Sequence, residues 1–492
     1  MGKHTPKADR HKRPPGRTIL LTGASGYVGK RLLPLLERRR ERIRCFARRP
    51  AAVRSACAQS TEVVQGDVLD LDSLRRAMRG VHTAYYLVHC LHSARDFEVL
   101  DRRGAEHFAI AAREAGVNRI IYLGGLAESG PDLSAHLRSR HEVGRILRGS
   151  GAEVVEFRAS IIIGNGSLSF ELVRSLVERL AVMICPRWVR SAAQPIAIGD
   201  VLAYLTACLD RPAGDSRIYE IGGSDRVSYG DIMREYARQR GLTRLMIPVP
   251  VLTPRLSSLW LALVTPLYKR VGRRLIEGVR NPSIVTDAGA LAAFHIRPIG
   301  LRQAIRTALV DEERRFAAEP LSRLAGYASG EGPKRVVAGF GNRILDCRAV
   351  MVPVRPERAF APIRRIGGRT GWYYANWLWH LRGLLDILAG GAGFRRRRPD
   401  SHPLRAGSRI DCWEVALYDP GRRLRLKALM KLPGRAWLEF EVIGDGDAST
   451  IVQTAAFDPR GSAGLAYWHL LLPIHNRLFE GMLRRIARAA SR

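Results

Sequence analysis

The sequence predicts an α/β domain built on a doubly wound parallel sheet, followed by a smaller α+β domain. Near the N-terminus, a strand-like run ends in a glycine-rich turn and opens into a helical pattern, RTILLTGASGYVGKRLLPLL. Strand-like and helix-like runs then alternate, an order that is typical of a parallel sheet covered by helices. After a stretch rich in Gly, Ser and Pro, the pattern changes to short strands separated by turn residues.

The length supports two domains, because 492 residues exceed what one ordinary core accommodates. We predict a basic disordered arm over residues 1–17, a first domain over 18–318, a linker over 319–340 and a second domain over 341–492. The linker prediction depends on EPLSRLAGYASGEGPKR, which has little periodicity. The arm lacks the apolar segment of a secretory signal, so we do not expect one.

The seven cysteines are scattered, odd in number and never arranged as Cys-x-x-Cys. This usage argues against a disulfide framework and against a zinc site, so we predict no metal. It is typical of a reducing compartment, and we expect a cytoplasmic protein.

The formal charge of +34 favours anionic partners. Arginine is spread along the whole chain, however, and no nucleic-acid-binding motif accompanies it, so we expect no specific nucleic acid. The longest apolar run, LSSLWLALVTPLY at 256–268, would rise about 20 Å as a helix, short of the roughly 30 Å of a bilayer core. We therefore predict that this run does not span a membrane. A weak contact with a membrane surface stays an open alternative.

The TGASGYVG segment has the pattern of a phosphate-binding turn between a strand and a helix. Gly23 permits the tight turn, Gly26 lets the backbone approach a pyrophosphate, and Gly29 lets the helix pack closely on the strand. The N-terminus of the helix favours the negative charge of a phosphate. The turn therefore predicts a dinucleotide site.

The second strand, IRCFA, is followed by Arg48 and Arg49 rather than by the acidic residue that would bind a ribose 2′-hydroxyl. Arginine at this position suits a 2′-phosphate, so we predict NADP(H), with NAD(H) as the alternative. A second interpretation, two solvated arginines in an arginine-rich protein, stays open.

The later strands indicate where the ligand lies, because open parallel sheets bind ligands beyond the carboxyl ends of their strands. The third strand, TEVVQ, leads to Asp67 and Val68. The fourth leads to Val88 and His89, and the fifth, RIIYLGG, ends at Gly124 and Gly125.

Residues 18–310 resemble the extended and atypical short-chain dehydrogenase/reductases, especially their NmrA-like, NAD(P)H-binding branch. The motifs TGASGYVG, GDVLD and FRASIIIGNGS carry this resemblance, together with Arg48. It implies a Rossmann-type fold in which the turn binds the pyrophosphate, Arg48 the 2′-phosphate, Asp67 and Val68 the adenine, and residues 158–166 the nicotinamide side. Ala159 departs from the proline that the family often has there. The predicted cofactor-binding residues are Gly23, Ser25, Gly26, Tyr27, Val28, Gly29, Arg48, Arg49, Asp67, Val68, Val88, His89, Gly124, Arg140 and Ser160.

Family members that reduce carbonyls carry Ser or Thr at the end of the fifth strand and Tyr-x-x-x-Lys on the next helix. Alignment of SAHLRSRHEV with that helix puts His136 at the Tyr position and Arg140 at the Lys position, while Gly124 and Gly125 stand where the hydroxyl would be. Because imidazole titrates near neutrality, His136 can serve as a general acid, with Arg140 lowering its pKa and holding the nicotinamide ribose. We therefore predict His136 and Arg140 as catalytic residues. The alternative is a site that keeps its cofactor and has lost its reaction.

The sequence of the second domain predicts short helices, an antiparallel sheet and a terminal helix. The segments RIDCWEVALY, RLRLKALMKL, AWLEFEVI and STIVQTAAF are strand-like and are separated by DPG, PGR and GDGD turns. This half resembles the helix-grip, START-like superfamily, and more closely a domain of unknown function that is fused to such reductase-like modules. The resemblance implies a hydrophobic ligand between sheet and helix. Its candidate wall is Trp372, Tyr373, Tyr374, Trp377 and Trp379, with Asp411, Glu439, His469 and His475 as candidate polar contacts.

Together these features predict an NADP(H)-dependent oxidoreductase that acts on a hydrophobic small molecule, with the second domain helping to hold it. The alternative is a non-catalytic protein that senses NADP(H) or binds a ligand, because the Ser, Tyr and Lys of the family are all replaced.

Overall fold

A computed structural model describes residues 17–39, 41–54, 56–90, 96–128, 130–131, 133–249, 278–327, 335–368, 370–388, 390, 404–444 and 446–492. All of the predicted basic arm except residue 17, and the apolar run at 256–268, lie outside these described residues. The chain divides into two compact units. The first comprises Met1–Val173, Ile184–Tyr236 and Ile247–Thr307, and the second comprises Arg174–Met183, Ala237–Met246 and Ala308–Arg492.

The described residues between 17 and 324 alternate between strands and helices. Their strands are β1 (Thr18–Thr22), β2 (Arg42–Ala47), β3 (Glu62–Gln65), β4 (Val81–Tyr86), β5 (Arg119–Gly125), β6 (Glu153–Ala159), β7 (Ile162–Ile163), β8 (Val182–Cys185), β9 (Ala192–Ala193), β10 (Ile196–Ala197), β11 (Arg217–Ile221), β12 (Val227–Ser228) and β13 (Leu245–Pro248). Their helices are α1 (Gly29–Glu37), α2 (Ala51–Arg54), α3 (Leu71–Met78), α4 (Phe97–Glu114), α5 (Ala135–Arg148), α6 (Leu168–Arg179), α7 (Ile198–Ala207), α8 (Tyr229–Gln239), α9 (Gly289–Phe294), α10 (Leu301–Ala318) and α11 (Leu321–Leu324).

The main sheet of the first unit is parallel throughout and has the strand order β11-β6-β5-β4-β1-β2-β3. The order reverses between β1 and β4, and this reversal is the switch point at which open sheets of this kind bind ligands. Thr22 holds the two strands together there, because its buried hydroxyl donates to the carbonyl oxygen of Tyr85 at 2.7 Å. The structure confirms the predicted Rossmann-type doubly wound sheet.

The strand sequences explain why helices cover both faces of this sheet. Ile19 and Leu21 of β1 are buried in one core cluster with residues of α1 and α7. Leu20 points to the opposite face and is buried in a second cluster with residues of α3, α4 and α5. Apolar residues on both faces of one strand are typical of a buried parallel sheet.

The second unit contains an antiparallel sheet of seven strands in the order β14-β15-β20-β19-β18-β17-β16. The strands are β14 (Arg335–Phe340), β15 (Arg343–Val352), β16 (Arg409–Ile410), β17 (Trp413–Asp419), β18 (Arg423–Ala428), β19 (Gly434–Ile443) and β20 (Ser449–Pro459). The helices are α12 (Pro356–Arg364), α13 (Asn376–Leu388) and α14 (Gly461–Ser491). The 31-residue α14 contributes Leu478, Phe479 and Met482 to a core that also contains Leu438 and Phe440 of β19. This is the predicted α+β arrangement of antiparallel sheet and terminal helix.

The predicted linker, residues 319–340, contains structure that its composition does not indicate. Strand β14 lies inside it and pairs along its length with β15. Leu321 and Ala325 are buried with Phe316 and Trp437, so the end of α10 and the segment after it pack on the second sheet. The last stretch of the second unit begins at Ala308, and the domain bounds predicted from the sequence stay a prediction.

Among the described residues, no helix is long and apolar enough to cross a membrane.

Candidate functional site

The turn between β1 and α1 has the geometry of a dinucleotide cradle. Gly23 has a φ of 73°, and a side chain there would stand 2.5 Å from the carbonyl oxygen of Leu87. The amide of Gly26 donates to the Gly23 carbonyl at 2.8 Å, and a side chain on Gly29 would overlap that same carbonyl. The backbone can bend this tightly only with glycine at positions 23 and 29. Ser25 and Gly26 are exposed before the first turn of α1, where backbone amides can bind phosphate.

Tyr27 and Val28 stabilise this turn from the protein side. The Tyr27 ring lies under the guanidinium of Arg31, at 4.1 Å, and Arg31 also donates to the carbonyl of Asn165 at 2.5 Å. A side chain on Gly164 would overlap the Tyr27 hydroxyl, so this ring packs closely on the segment after β7. Val28 is partly buried against the core of β1 and α1. These two side chains therefore pack against the protein, and the exposed backbone of the turn is the part that a ligand can contact.

The residues predicted at the adenine end follow β2 and β3. Arg48 and Arg49 are exposed directly after β2. Asp67 accepts a hydrogen bond from the amide of Leu69 at 3.1 Å, and Val68 is buried beside it. Burial raises the pKa of the nearby Cys90 thiol to about 12, and the charges of Arg48 and Asp67 act on the same thiol with opposite signs. Because β2 and β3 pair in parallel, Arg48 and Asp67 follow the adjacent ends of two neighbouring strands.

A cluster of polar side chains lies beyond β4. His89 shares a hydrogen bond of 3.1 Å with Asp101 of α4, and Ser139 of α5 donates to the same carboxylate oxygen at 3.0 Å. The amide of Cys90 donates to the other oxygen at 2.8 Å. The rings of His89 and His136 are stacked with their centroids 4.9 Å apart. We name His89, Asp101, His136 and Ser139 the histidine cluster.

Electrostatics define the hydrogen positions in this cluster. Burial raises the pKa of Asp101, but the hydrogen bond and charge of His89 and the charge of Arg140 outweigh burial and lower this pKa to about 2. At neutral pH the carboxylate is therefore ionised and can only accept hydrogen bonds. The hydrogen of His89 must then lie on Nδ1, which leaves Nε2 as the basic nitrogen when the ring is neutral.

Arg140 occupies a buried position below the cluster. It is 7% exposed, and its two terminal nitrogens donate to the carbonyl oxygens of Val88 at 3.3 Å and Leu123 at 2.5 Å. Its guanidinium also lies 5.0 Å from the centre of the Tyr122 ring. The residue joins the ends of β4 and β5, and a contact with the nicotinamide ribose stays a prediction.

The end of β5 leaves little room for the hydroxyl that the related enzymes have there. Gly124 is buried, and a side chain on Gly125 would stand 2.8 Å from Leu137 of α5. Ser160 is also buried, with its hydroxyl 2.8 Å from that of Ser283. A role for Gly124 and Ser160 toward the cofactor stays a prediction.

Sequence reasoning missed Asp101 and Ser139. The available signal was a carboxylate on the apolar stripe of α4, since Asp101 stands four residues after Phe97 and four before Ala105, which are both buried. A charge at such a position requires a partner. Its partner His89 is 12 residues earlier, in a segment without periodicity.

The second unit contains a separate cavity of about 220 Å³, between its sheet and the helices α13 and α14. Its lining is almost entirely apolar and includes four indole rings, those of Trp379, Trp413, Trp437 and Trp468. His475 of α14 also lines it, and burial lowers the pKa of this imidazole to about 4. The cavity exceeds the roughly 150 Å³ that suffices for benzene in an apolar protein interior.

The other candidate ligand contacts of this domain divide into core, cavity and surface positions. Trp372 is buried and donates to Asp411 at 2.9 Å, while Trp377 is exposed. Glu439 is paired with Arg425 at 2.6 Å and accepts from the amide of Leu321, so it has a structural role. His469 is exposed on α14. Of the predicted wall and polar residues, Trp379 and His475 line the cavity.

Two family models match separate parts of the chain. Residues 23–160 match the family described as NAD(P)H-binding, a span that includes the glycine turn after β1, the strands β2 to β6 and the histidine cluster. Residues 341–482 match a protein of unknown function, DUF2867. The first domain is therefore an NAD(P)H-binding domain, as predicted, and it is joined to a domain whose family has no assigned function.

Among curated proteins, sterol demethylase protein B of Methylococcus capsulatus is 25% identical over 284 residues, which are 51% of this chain and 83% of that protein. Ceramide reductase of Caulobacter vibrioides is 26% identical over 235 residues, 47% of this chain and 73% of that protein. The structure of an NADPH-dependent quinone oxidoreductase from Escherichia coli, in complex with NADPH, matches 59% of this chain and 99% of its own with 18% identity and a TM-score of 0.49.

Proposed function

We propose that this protein is an NADP(H)-dependent oxidoreductase that reduces or oxidises a hydrophobic, lipid-like molecule. The observation that carries the proposal is the histidine cluster at the carboxyl ends of the strands, next to the switch point of an NAD(P)H-binding sheet. Two imidazoles, one of them oriented by an ionised carboxylate, are suitable proton carriers near neutral pH. When bound, the dinucleotide supplies or accepts the hydride.

The residues of the cluster have separate parts in this proposal. His136 transfers the proton that a substrate oxygen gains or loses, in place of the phenol of related enzymes. His89 stacks on His136 and holds it in place, while Asp101 orients His89 through Nδ1. Arg140 fixes the ends of β4 and β5, so that the segment carrying His89 keeps its position.

The second domain and the relatives support the proposed substrate class. An apolar cavity between an antiparallel sheet and a terminal helix supports a START-like domain that holds a hydrophobic molecule. The names of two relatives, sterol demethylase protein B and ceramide reductase, both refer to lipids. The seven free cysteines support a reducing, cytoplasmic setting.

Turnover tests the proposal directly. Purified protein with NADPH and a panel of sterol ketones, long-chain ketones and enones should consume NADPH, and His136→Ala should slow this by about 100-fold or more while NADPH affinity changes little. His82→Ala is the matched control, because His82 lies at the opposite end of β4. Absence of any NADPH consumption, or a His136→Ala enzyme as fast as the wild type, would reject a catalytic role for His136.

The second candidate function is a non-catalytic protein that senses NADP(H). The observation that favours it is the joint replacement of the family's catalytic positions by Gly124, His136 and a buried Arg140. It predicts that calorimetry detects NADPH binding without turnover of any carbonyl compound. Steady turnover that depends on His136 would exclude this second function.

A further inference from the structure

An exposed apolar surface lies on the two helices that line the cavity of the second unit. We call it the apolar rim and define it by Trp377, Leu381, Leu384 and Leu388 of α13 with Leu470 and Ile474 of α14. These side chains are 65%, 44%, 55%, 75%, 78% and 47% exposed, in that order. Leu381 and Ile474 also line the cavity, so the rim and the cavity wall form one continuous apolar surface.

Helix α13 is apolar on two sides. Leu378 and Trp379 face the core, as expected for a helix that packs on a domain. Trp377, Leu381 and Leu384 recur every three or four residues on the exposed side, where a helix of a soluble domain normally has polar residues. Contiguous exposed apolar surface of this kind marks a contact with a membrane or another protein.

The charges near the rim favour an anionic surface. The only carboxylate of α13, Asp386, is 1% exposed, and α14 has no acidic residue before Glu480. Arg477 is exposed on α14, and Arg382 is partly exposed on α13. The whole chain has a formal charge of +34. Cationic side chains beside apolar ones attract a protein to anionic lipid headgroups.

We propose that the apolar rim docks on an anionic lipid bilayer, and that a hydrophobic ligand passes between the bilayer and the cavity there. Trp377 is suited to the headgroup region, and the leucines to the acyl boundary below it. A second copy of this chain fits less well, because a symmetric interface would place Arg382 and Arg477 opposite the same cations. The passage of ligand rests on the proposed function of the second domain, whereas bilayer docking is tested without any ligand.

Sedimentation of the full chain with vesicles tests the docking. We expect binding to phosphatidylcholine vesicles containing phosphatidylglycerol, weaker binding to pure phosphatidylcholine, and weakening by salt. The variant Trp377→Glu/Leu470→Glu should bind at least about tenfold more weakly, since it places two charges in the contact. Neither residue lines the cavity. The matched control is Val337→Glu, at an exposed apolar residue on the edge strand β14, which does not line the cavity.

Fluorescence with brominated lipids reports which residue enters the bilayer. Trp377 is the most exposed tryptophan among those described, so Trp377→Phe should abolish most of the quenching. A circular dichroism spectrum and a thermal unfolding transition equal to those of the wild type show that each variant folds, since all these positions lie in the second unit. The proposal is overturned if the wild type stays in the supernatant with anionic vesicles, or if the double variant binds them as tightly as the wild type. It is also overturned if Trp377→Phe is still quenched like the wild type, or if the double variant loses self-association rather than vesicle binding. Failure of the proposed oxidoreductase function would appear as absent turnover with intact vesicle binding.

Discussion

At the residue scale, the histidine cluster depends on one carboxylate. Asp101 accepts hydrogen bonds from His89, Ser139 and the amide of Cys90, and its low pKa means that it remains ionised far below neutral pH. His89 therefore has a single orientation and a single tautomer. Through ring stacking, this orientation extends to His136.

Replacement of Asp101 by Asn tests this dependence. Asp101→Asn removes the charge that orients His89, so the turnover number should fall about tenfold or more, the usual effect of losing an orienting carboxylate. Ser139→Ala, which leaves the hydrogen bond between His89 and Asp101 in place, should have a smaller effect. Steady-state kinetics and NADPH titration are measured for both variants. An equal fall of the turnover number in Asp101→Asn and Ser139→Ala would contradict the role of Asp101 in orienting His89.

The low pKa of Asp101 also predicts a pH dependence of folding. The folded pKa of about 2 lies below the ordinary 3.8, so the stabilisation is complete above about pH 4 and is lost as pH falls toward 2. The destabilisation caused by Asp101→Asn should thus shrink as pH falls from about 4 toward 2. A destabilisation that stays the same between about pH 4 and pH 2 in urea titrations would be inconsistent with this pKa.

We predict that Arg48 decides the choice between the two dinucleotides. Arg48→Ala should weaken NADPH binding by about 10- to 100-fold and leave NADH binding nearly unchanged, because a hydrogen bond between charged groups contributes about 1.5–3 kcal/mol. Arg42→Ala is the matched control, since Arg42 is also exposed but lies at the opposite end of β2. Calorimetric titration with both dinucleotides measures the difference. Equal losses of NADPH and NADH affinity in Arg48→Ala would rule out a 2′-phosphate contact.

At the element scale, the contact between β1 and α1 depends on the absence of a side chain at Gly29. A methyl group there would overlap the Gly23 carbonyl, so Gly29→Ala should push α1 away from β1 and abolish NADPH binding or folding. In Gly199→Ala, in the first turn of α7, the added methyl group meets no atom within 4 Å, so this variant should keep both its fold and its NADPH binding. Circular dichroism and NADPH titration compare the two variants. Wild-type NADPH affinity in Gly29→Ala would disprove the tight turn.

Helix α14 places a titratable group in an apolar environment. Burial lowers the pKa of His475 from 6.5 to about 4, so between these values the unfolded chain binds more protons than the folded one. The free energy of unfolding should therefore fall by about 3 kcal/mol as pH drops from about 6.5 to about 4. His475→Leu should remove this fall, whereas His469→Leu, at an exposed position of the same helix, should retain it. Urea titrations followed by tryptophan fluorescence measure these slopes, and an equal slope in all three proteins would disprove the burial of His475.

At the scale of the whole molecule, the second unit is assembled from three stretches of chain. Arg174 and Arg343 are both buried, and both donate to Glu312, which is also buried. Arg174 belongs to the first of these stretches, while Glu312 and Arg343 belong to the last. This ion cluster connects distant segments inside one unit.

Removal of Glu312 should therefore destabilise the second unit strongly. Glu312→Ala leaves two buried guanidinium groups without this carboxylate, and breaking a buried pair of this kind costs about 3–5 kcal/mol. Glu313→Ala removes a half-exposed carboxylate that also bonds to Arg343 and should cost about 1 kcal/mol or less. Thermal and urea unfolding of the full chain compare them. A similar fall in the free energy of unfolding of the two variants would mean that the buried ion cluster contributes little to stability.

The sequence by itself determined the elements whose signals are local. The turn at Gly23 to Gly29 was predictable because a strand, three glycines and a helical pattern lie within about 20 residues. The strands of the second sheet were predictable because the DPG and GDGD turns and the alternating side chains are also local. These features require only the geometry of neighbouring residues.

Only the tertiary structure decided which distant residues meet. His89, Asp101 and His136 come from a loop and two helices, and no periodic pattern indicates that they share hydrogen bonds or stacked rings. On α13, Trp377 and Trp379 have the same chemistry, but one is exposed and the other buried, because packing on the sheet selects a single side of the helix. Such contacts depend on how elements pack, and packing involves residues that are far apart in the sequence.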